Sequence, residues 1–554
     1  MPNRSFSAIQ GVLLVAGAGW LSCAGGPAPE DAPLFVEVAA AAGLDFSHDN
    51  GATGEFLFPE LMQAGAALVD VDNDGLLDVY LVQSGPIPPD PDSNAGANRL
   101  YRNRGDGTFE ELTDGGGAGD RGYGVGVTAA DYDRDGDADL YVTNLGRNTL
   151  LRNDGAAGFV DVTTTAGVGD EGYSTSAVFA DIDADGDLDL YVCNYVAWTR
   201  AIERACYARN GIRDYCAPSA YGRPAPDSLY RNEGDGTFTD VSRSSGIRSV
   251  SATGLGTVAA DFDDDGDTDI YVANDQMANF LWVNQGDGTF RDEALVRGCA
   301  LNLAGRPEAG MGIAINDIEE DGDWDLFLVH LSGETNTFYR NDGGRFNDDT
   351  DPRGLGAPSK TCTGFGVGAI DFDCDGVLDL FVANGKVRLA GSMEPGDYGE
   401  RNQLFQGLAD GTFRDITDLG GPALDPVEVS RSAAFGDYDN DGDVDILIAN
   451  NEGPVRLLRN EACEGRSSIT VELAGRDTDR DGIGARVTVE AGGRSWMRRV
   501  QPGYSYCASN DPRVHVGLGD VTMVDRITVV WPGGAEQTFE DVEARGVLRV
   551  EQPQ

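Results

Sequence analysis

The chain has 554 residues, 41% of them apolar and 8% aromatic, which is too long for one ordinary domain and enough for a sizeable core. A formal net charge of −52 excludes nucleic acid and an anionic membrane surface as partners and favours metal cations or solvent. The 76 glycines follow no collagen period and point to many turns.

Residues 1–23 read as an export signal. Arg4 is the only early charge, an apolar run follows from about Ala8 to Leu21, and Cys23 comes at once. The run is too short and glycine-rich to span a bilayer comfortably. "GWLSCAGG" resembles a bacterial lipobox, with Trp20 where leucine is usual, so Cys23 is the expected lipidation site. A simple cleaved signal is the alternative. Residues 24–33 are a linker. Setting Cys23 aside leaves eight cysteines, an even set that suits an oxidising compartment. Cys206 with Cys216 and Cys463 with Cys507 are the preferred pairs, while Cys193, Cys299, Cys362 and Cys374 stay unassigned. The expected location is the outer surface or periplasm as a lipoprotein, or the medium as a secreted protein. The membrane is reached only through the lipid anchor.

"LFVEVAAAAGL", from Leu34, reads as a strand and its turn. Seven acidic nonapeptides follow: DVDNDGLLD from Asp70, DYDRDGDAD from Asp131, DIDADGDLD from Asp181, DFDDDGDTD from Asp261, DIEEDGDWD from Asp317, DFDCDGVLD from Asp371 and DYDNDGDVD from Asp437. Their recurrence every 50 to 80 residues marks a propeller, solenoid or array. An apolar or small-residue run precedes each loop, as in "GVGVTAAD", and a β-branched run follows it, as in "DLYVTN". A third segment such as "NTLLRN" comes next, then a "GDGTF" turn and a fourth segment such as "TFTDVS". Four short antiparallel strands make one propeller blade. The seventh unit stops at Asn460 without its fourth strand, and the segment at Leu34 supplies it. Residues 34–460 are therefore expected to close into seven blades, which removes the exposed sheet edge.

The first positions are Asp70, Asp131, Asp181, Asp261, Asp317, Asp371 and Asp437. Asp72, Asp133, Asp183, Asp263, Glu319, Asp373 and Asp439 stand third, and Asp74, Asp135, Asp185, Asp265, Asp321, Asp375 and Asp441 fifth. Asp78, Asp139, Asp189, Asp269, Asp325, Asp379 and Asp445 stand ninth. Carboxylates at 1, 3 and 5 with glycine at 6 repeat the first half of an EF-hand loop, and the ninth-position aspartate replaces the distant glutamate. Two carboxylates ~5 Å apart repel by roughly 3 kcal/mol at an effective dielectric near 20. Up to seven Ca²⁺ sites are expected, Mg²⁺ being second choice, and nitrogen or sulfur ligands for zinc or copper are lacking. A solvated acidic turn is the bland alternative. The fifth loop departs from the pattern at Glu319, whose longer arm displaces its oxygen. Cys374, at the variable fourth position, is expected to point outward.

These repeats resemble the integrin-α-type FG-GAP and VCBS repeat families over roughly Leu34 to Asn460. The resemblance implies a seven-bladed β-propeller with calcium in its blade loops. Only Phe435-Gly436 keeps the name-giving pattern before a loop, which favours the VCBS-like branch. In residues 461–554, "DRDGIGARVTVEAGG", "VQPGYSYCASNDPRVHVGLGD" and "VDRITVVWPGG" resemble the ASPIC/UnbV domain. Together the two parts are similar to the cartilage acidic protein family, which implies an extracellular calcium-binding protein. The fold is then all-β: a propeller with a small C-terminal β-domain packed beside it. "DTDRDG" from Asp477 mimics half a calcium loop through Asp477, Asp479 and Asp481, but Ala485 stands at its ninth position. The insert between Tyr195 and Asp227 reads as a loop stapled by Cys206 and Cys216 over one face.

Arg104-Gly105-Asp106 spells an adhesion tripeptide inside "NRGDGTF", a repeated turn in which the arginine fills the variable place. The only histidines are His48, His330 and His515, and no nucleophile elbow, zincin helix or phosphate loop is present. The expected function is a non-catalytic, calcium-binding extracellular or surface-anchored scaffold for a protein or glycan ligand. A hydrolase or lyase acting on polysaccharide or lipid, and a calcium-dependent self-associating adhesin, are the alternatives.

Overall fold

Each β-branched run that leaves an acidic loop becomes the second strand of a set of four antiparallel strands, seven such sets among the described residues, the first of them carrying a fifth, parallel strand. In the computed structural model, residues 33–88, 96–155, 157–389 and 397–553 are described. The export signal with Cys23, and all of the linker before Pro33, lie outside the described residues. The second sheet is typical: Gly124–Ala130, Asp139–Asn144, Thr149–Asn153 and Phe159–Asp161 pair in order. The innermost strands follow one another round a ring, the first sheet's Ala66–Val69 lying against the seventh sheet's Ser430–Gly436. Phe35–Glu37 pairs with Arg456–Asn460 and is the fourth strand of the seventh sheet. The fold is thus an all-β propeller.

Glycines let the inner strands approach. A Cβ on Gly312 would stand 1.9 Å from the Phe365 carbonyl oxygen, and one on Gly256 would stand 2.1 Å from that of Met311. Both would strike the next blade's backbone, so side chains there are excluded by contact rather than by dihedral preference.

The C-terminal part forms two further sheets. One orders Val514–Gly519, Ser467–Ala474 and Val547–Glu551. The other orders Arg494–Arg499, Arg486–Ala491, Met523–Val530 and Glu536–Glu543. They enclose Val471, Val487, Ile527 and Trp531, and the same apolar cluster continues into the second and third blades through Tyr132 and Phe179.

This domain lies over the face that carries the acidic loops, and it reaches into the ring. Residues 501–511 enter the axis, a placement that packing beside the propeller did not anticipate. Ala508–Ser509 adds a parallel strand to Ala66–Val69. Ser505 exchanges both backbone hydrogen bonds with Ile313, and its hydroxyl donates to Ala433 O while accepting from the Val367 N–H. Ser505 and Cys507 take φ of 82° and 52°, turning successive peptides toward different blades. Tyr506, at the tip, is fully buried, meets the Phe365 ring at 5.0 Å and donates to Met62 O. The reason is edge chemistry: inner strands present unpaired N–H and C=O groups that a short Ser/Asn-rich segment satisfies.

The opposite end is closed by residues 57–63 and the Tyr195–Asp227 insert. Arg431, fully buried, donates to Leu61 O, Gly385 O, Ser430 O and Lys386 O and lies 4.1 Å from the Phe365 ring centre. The insert is stapled by Cys206–Cys216, as the spacing suggested.

The second disulfide corrects the expected pairing. Cys463 bonds to Cys374, not to Cys507. Cys374 is 1% exposed and faces the segment that leaves the seventh blade, so it does not point outward. Cys507 sits on the axial segment, buried beside Ser176, and is unbonded among the described residues.

Candidate metal centre

The seven loops share one backbone. The fourth residue of each adopts a left-handed conformation, from Cys374 at φ 55° to Asn73 at 60°, and the glycine at position 6 follows with φ of 83° or more. The first-position carboxylate folds back over the turn. Asp131, for instance, accepts the Asp135 and Gly136 N–H groups, both at 3.1 Å. A first-position carboxylate accepts the glycine N–H in every loop. A fifth-position carboxylate accepts the N–H two residues on in every loop.

The ninth-position aspartates are the structural keystones. One oxygen accepts the N–H of the loop's second residue, and the other accepts the N–H at the end of the third strand. Asp139 does this with Tyr132 at 3.2 Å and Asn153 at 2.8 Å, and the same two bonds recur in the other six loops.

What remains is a set of inward oxygens without partners. Asp72, Asp133, Asp181, Asp263 and Asp439 each keep a buried Oδ1 with no hydrogen bond, and Glu319 keeps such an Oε2. Carboxylate oxygens of Asp70, Asp72 and Asp78, of Asp131, Asp133 and Asp139, and of Asp181, Asp183 and Asp189 converge within 4.8 Å. So do those of Asp261, Asp263 and Asp265, and of Asp371, Asp373 and Asp379. Burial pushes the ninth-position carboxyls up, Asp78 to about 7 and Asp189 and Asp269 to about 8. It pushes first-position Asp131, Asp371 and Asp437 to about 7 as well. Buried, convergent, all-oxygen and acidic is the donor set of a hard divalent cation, and the residues fit Ca²⁺.

The fifth loop differs. Glu319 lies 3.1 Å from Arg353 and 3.7 Å from Arg340. The half-loop at Asp477 also differs: both oxygens of buried Asp479 accept backbone N–H groups, from Asp481 and Ile483, and Asp481 pairs with Arg480. That turn is a docking element. Arg480 donates to Asp70 O and Asn73 Oδ1, Arg513 to Asp437 O and Asn440 Oδ1, and Arg494 and Trp496 to Gly376 O. The C-terminal domain thus grips the loops through backbone carbonyls and through side chains, among them Asp131 Oδ2, which accepts the Arg480 N–H, and Glu320, which pairs with Arg494.

One group escaped the sequence reading. The asparagine ending the third strand donates through Nδ2 to the second loop residue of the preceding blade: Asn103 to Tyr438 O, Asn153 to Val71 O, Asn232 to Tyr132 O, Asn284 to Ile182 O, Asn341 to Phe262 O and Asn460 to Phe372 O. Gly407 interrupts the circle in the sixth blade, where a Cβ would stand 2.1 Å from Leu378 O. The recurring "RN" was the available signal.

The other singled-out residues are structural. Asp106 accepts the Thr108 N–H at 3.1 Å and Arg104 pairs with Glu110, so the tripeptide is a tight turn. Burial holds His48 at about 3 and His330 and His515 at about 4, all neutral; His48 bonds Ser84 and His515 the Gly442 carbonyl.

A family description for FG-GAP-like repeats matches residues 70–142, 131–192, 208–272, 261–328, 317–382 and 389–448, and one for ASPIC and UnbV matches 475–554. Cartilage acidic protein 1 of Mus musculus is 26% identical over 584 aligned residues, covering 100% of this chain and 82% of that protein. The Homo sapiens protein of the same name is 27% identical over 63% of this chain and 53% of its own length. Among solved structures, BBS1N in complex with ARL6DN aligns with a TM-score of 0.41 at 10% identity, over 77% of this chain and 98% of that one.

Proposed function

Because the chain belongs to the FG-GAP-like repeat family and ends in an ASPIC and UnbV domain, we propose that it is an exported, non-catalytic scaffold, stabilised by Ca²⁺, that binds a protein or glycan ligand. The carrying observation is the set of buried carboxylate oxygens left without partners inside otherwise fully bonded loops. Carboxylates at the first, third, fifth and ninth positions would hold the ion. When bound, the ion supplies the positive charge that lets these acids stay ionised in a buried turn. The chain's own backbone N–H groups orient each carboxylate beforehand, so little ordering is left to binding.

Two features support a non-catalytic role. The axis is filled from both ends, by Tyr506 and by Leu61 and Met62. The three histidines are neutral, His48 and His330 buried and His515 partly so. Two disulfides support export. No helix among the described residues is long and apolar enough to cross a membrane. Lipidation at Cys23 remains the proposed anchor.

Calorimetric titration of chelator-stripped protein tests the reading. Several Ca²⁺ equivalents should bind, and the melting temperature should rise by many degrees on saturation; a melt indifferent to chelator and to added calcium would sink it.

A further inference from the structure

We propose that the ring holds two kinds of loop: five that take a divalent cation, beginning at Asp70, Asp131, Asp181, Asp261 and Asp437, and two, beginning at Asp317 and Asp371, whose positive charge is supplied by arginines of the chain itself. This division rests on the cation reading above and refines it.

In the fifth loop the third-position acid is Glu319. Its Oε2 makes no hydrogen bond but lies 3.1 Å from the Arg353 guanidinium, and its Oε1 lies 3.7 Å from that of Arg340, so both oxygens face a positive charge of the chain. Arg353 is itself held in place. It donates to Gly411 O of the sixth blade and lies 5.0 Å from the Phe338 ring centre. Glu319 and Arg353 are 16% and 14% exposed, so water screens the pair little.

In the sixth loop Asp373 has no oxygen to offer. Oδ1 accepts the Asp375 N–H and pairs with Arg466 at 2.7 Å, while Oδ2 accepts Gln406 Nε2 at 3.0 Å. Asp371, Asp373 and Asp379 still converge, but none of the loop's carboxylates keeps a buried oxygen without a partner. Buried Arg498 from the C-terminal domain acts electrostatically on Asp317 and Asp371, the first-position acids of these same two loops.

Arginines act on first-position acids elsewhere too, Arg480 on Asp70 and Asp131, Arg499 on Asp261 and Arg513 on Asp437, so the contrast lies in the oxygens left open. Arg297 pairs with Asp263 Oδ2 at 2.6 Å yet leaves Oδ1 buried and open. Arg480 stands 3.9 Å from Asp70 Oδ2, beyond hydrogen-bond range, and Asp72 keeps its open oxygen. Where both oxygens of the third-position acid already face a donor of the chain, the guanidinium removes the repulsion that a cation would relieve and repels a second positive charge. The Cys374–Cys463 bond ties the sixth loop further, so the loop needs no ion to hold its bend.

Native mass spectrometry and equilibrium dialysis of the full chain with Ca²⁺, together with anomalous scattering from crystals soaked in Tb³⁺, test the division. Five ions are expected, none of them in the fifth or sixth loop. Arg466→Gln should raise the count to six, as should Arg353→Gln combined with Glu319→Asp. An ion in the fifth or sixth loop of the unaltered protein overturns the division and leaves the cation reading intact. No bound ion at all overturns both. Should a variant fail to fold, the count and positions in the unaltered protein decide alone.

Discussion

The carboxyls of Asp189 and Asp269 are each gripped by two backbone N–H groups, yet burial still lifts them to about 8. Their unfolded value is the ordinary one, near 4. Between those limits the native state without a cation holds protons that the unfolded chain has released. Its stability therefore falls as pH rises from about 4 through about 8. Chelator-treated protein should accordingly melt at lower temperature at pH 8.5 than at pH 5.5, and saturating Ca²⁺ should abolish or reverse that order; a flat pH profile in chelator would contradict the electrostatics. The inter-blade asparagines make a second residue-level prediction. Asn153→Ala removes donors to Val71 O and Ala138 O, which leaves buried carbonyls unsatisfied. A loss of about 1–3 kcal/mol is expected from denaturant midpoints. The acidic spacing was legible because each loop closes on itself within nine residues. The asparagine's role was not, since its acceptor lies 82 residues away.

Strands and turns behave as local units with one exception each way. The four-strand reading of every blade holds because alternation, glycine turns and β-branching act over short range. Packing between blades obeys a tighter rule, visible at Gly312. Gly312→Ala would drive a methyl into the Phe365 carbonyl. It should cost about 1–3 kcal/mol or abolish folding, seen as a lowered melting temperature or loss of soluble protein. The Cys374–Cys463 bond closes 89 residues of chain, against 10 for Cys206–Cys216. In the loop-entropy account the longer closure contributes about 4–5 kcal/mol. The double Cys374→Ser, Cys463→Ser variant should therefore lose more stability than Cys206→Ser, Cys216→Ser. Parity of the cysteines was readable; the partner of Cys463 was not, because only the docked C-terminal domain and the left-handed turn at Cys374 bring the two sulfurs together.

At the scale of the molecule, the C-terminal domain and the propeller are one interlocked body. Residues 501–511 bond to the first, second, third, fifth, sixth and seventh blades. Tyr506→Ala removes a buried ring and its bond to Met62 O. A cost of about 3–5 kcal/mol is expected, together with faster hydrogen exchange along residues 501–511. Unchanged exchange there would mean that the axial segment is held without its tip. Since Arg480, Arg494 and Arg513 grip loop backbones, loosening the loops should also expose this segment to protease.

The repeat, the strand order within a blade and the clustering of the acidic loops were written in the sequence alone, because each depends on neighbours a few positions away. The seating of the C-terminal domain on the loop face, the filling of the axis, the circle of asparagine ties and the arginines that serve the fifth and sixth loops came only from tertiary structure. Those contacts join residues tens to hundreds of positions apart, and no local period encodes which distant group arrives to satisfy a buried charge.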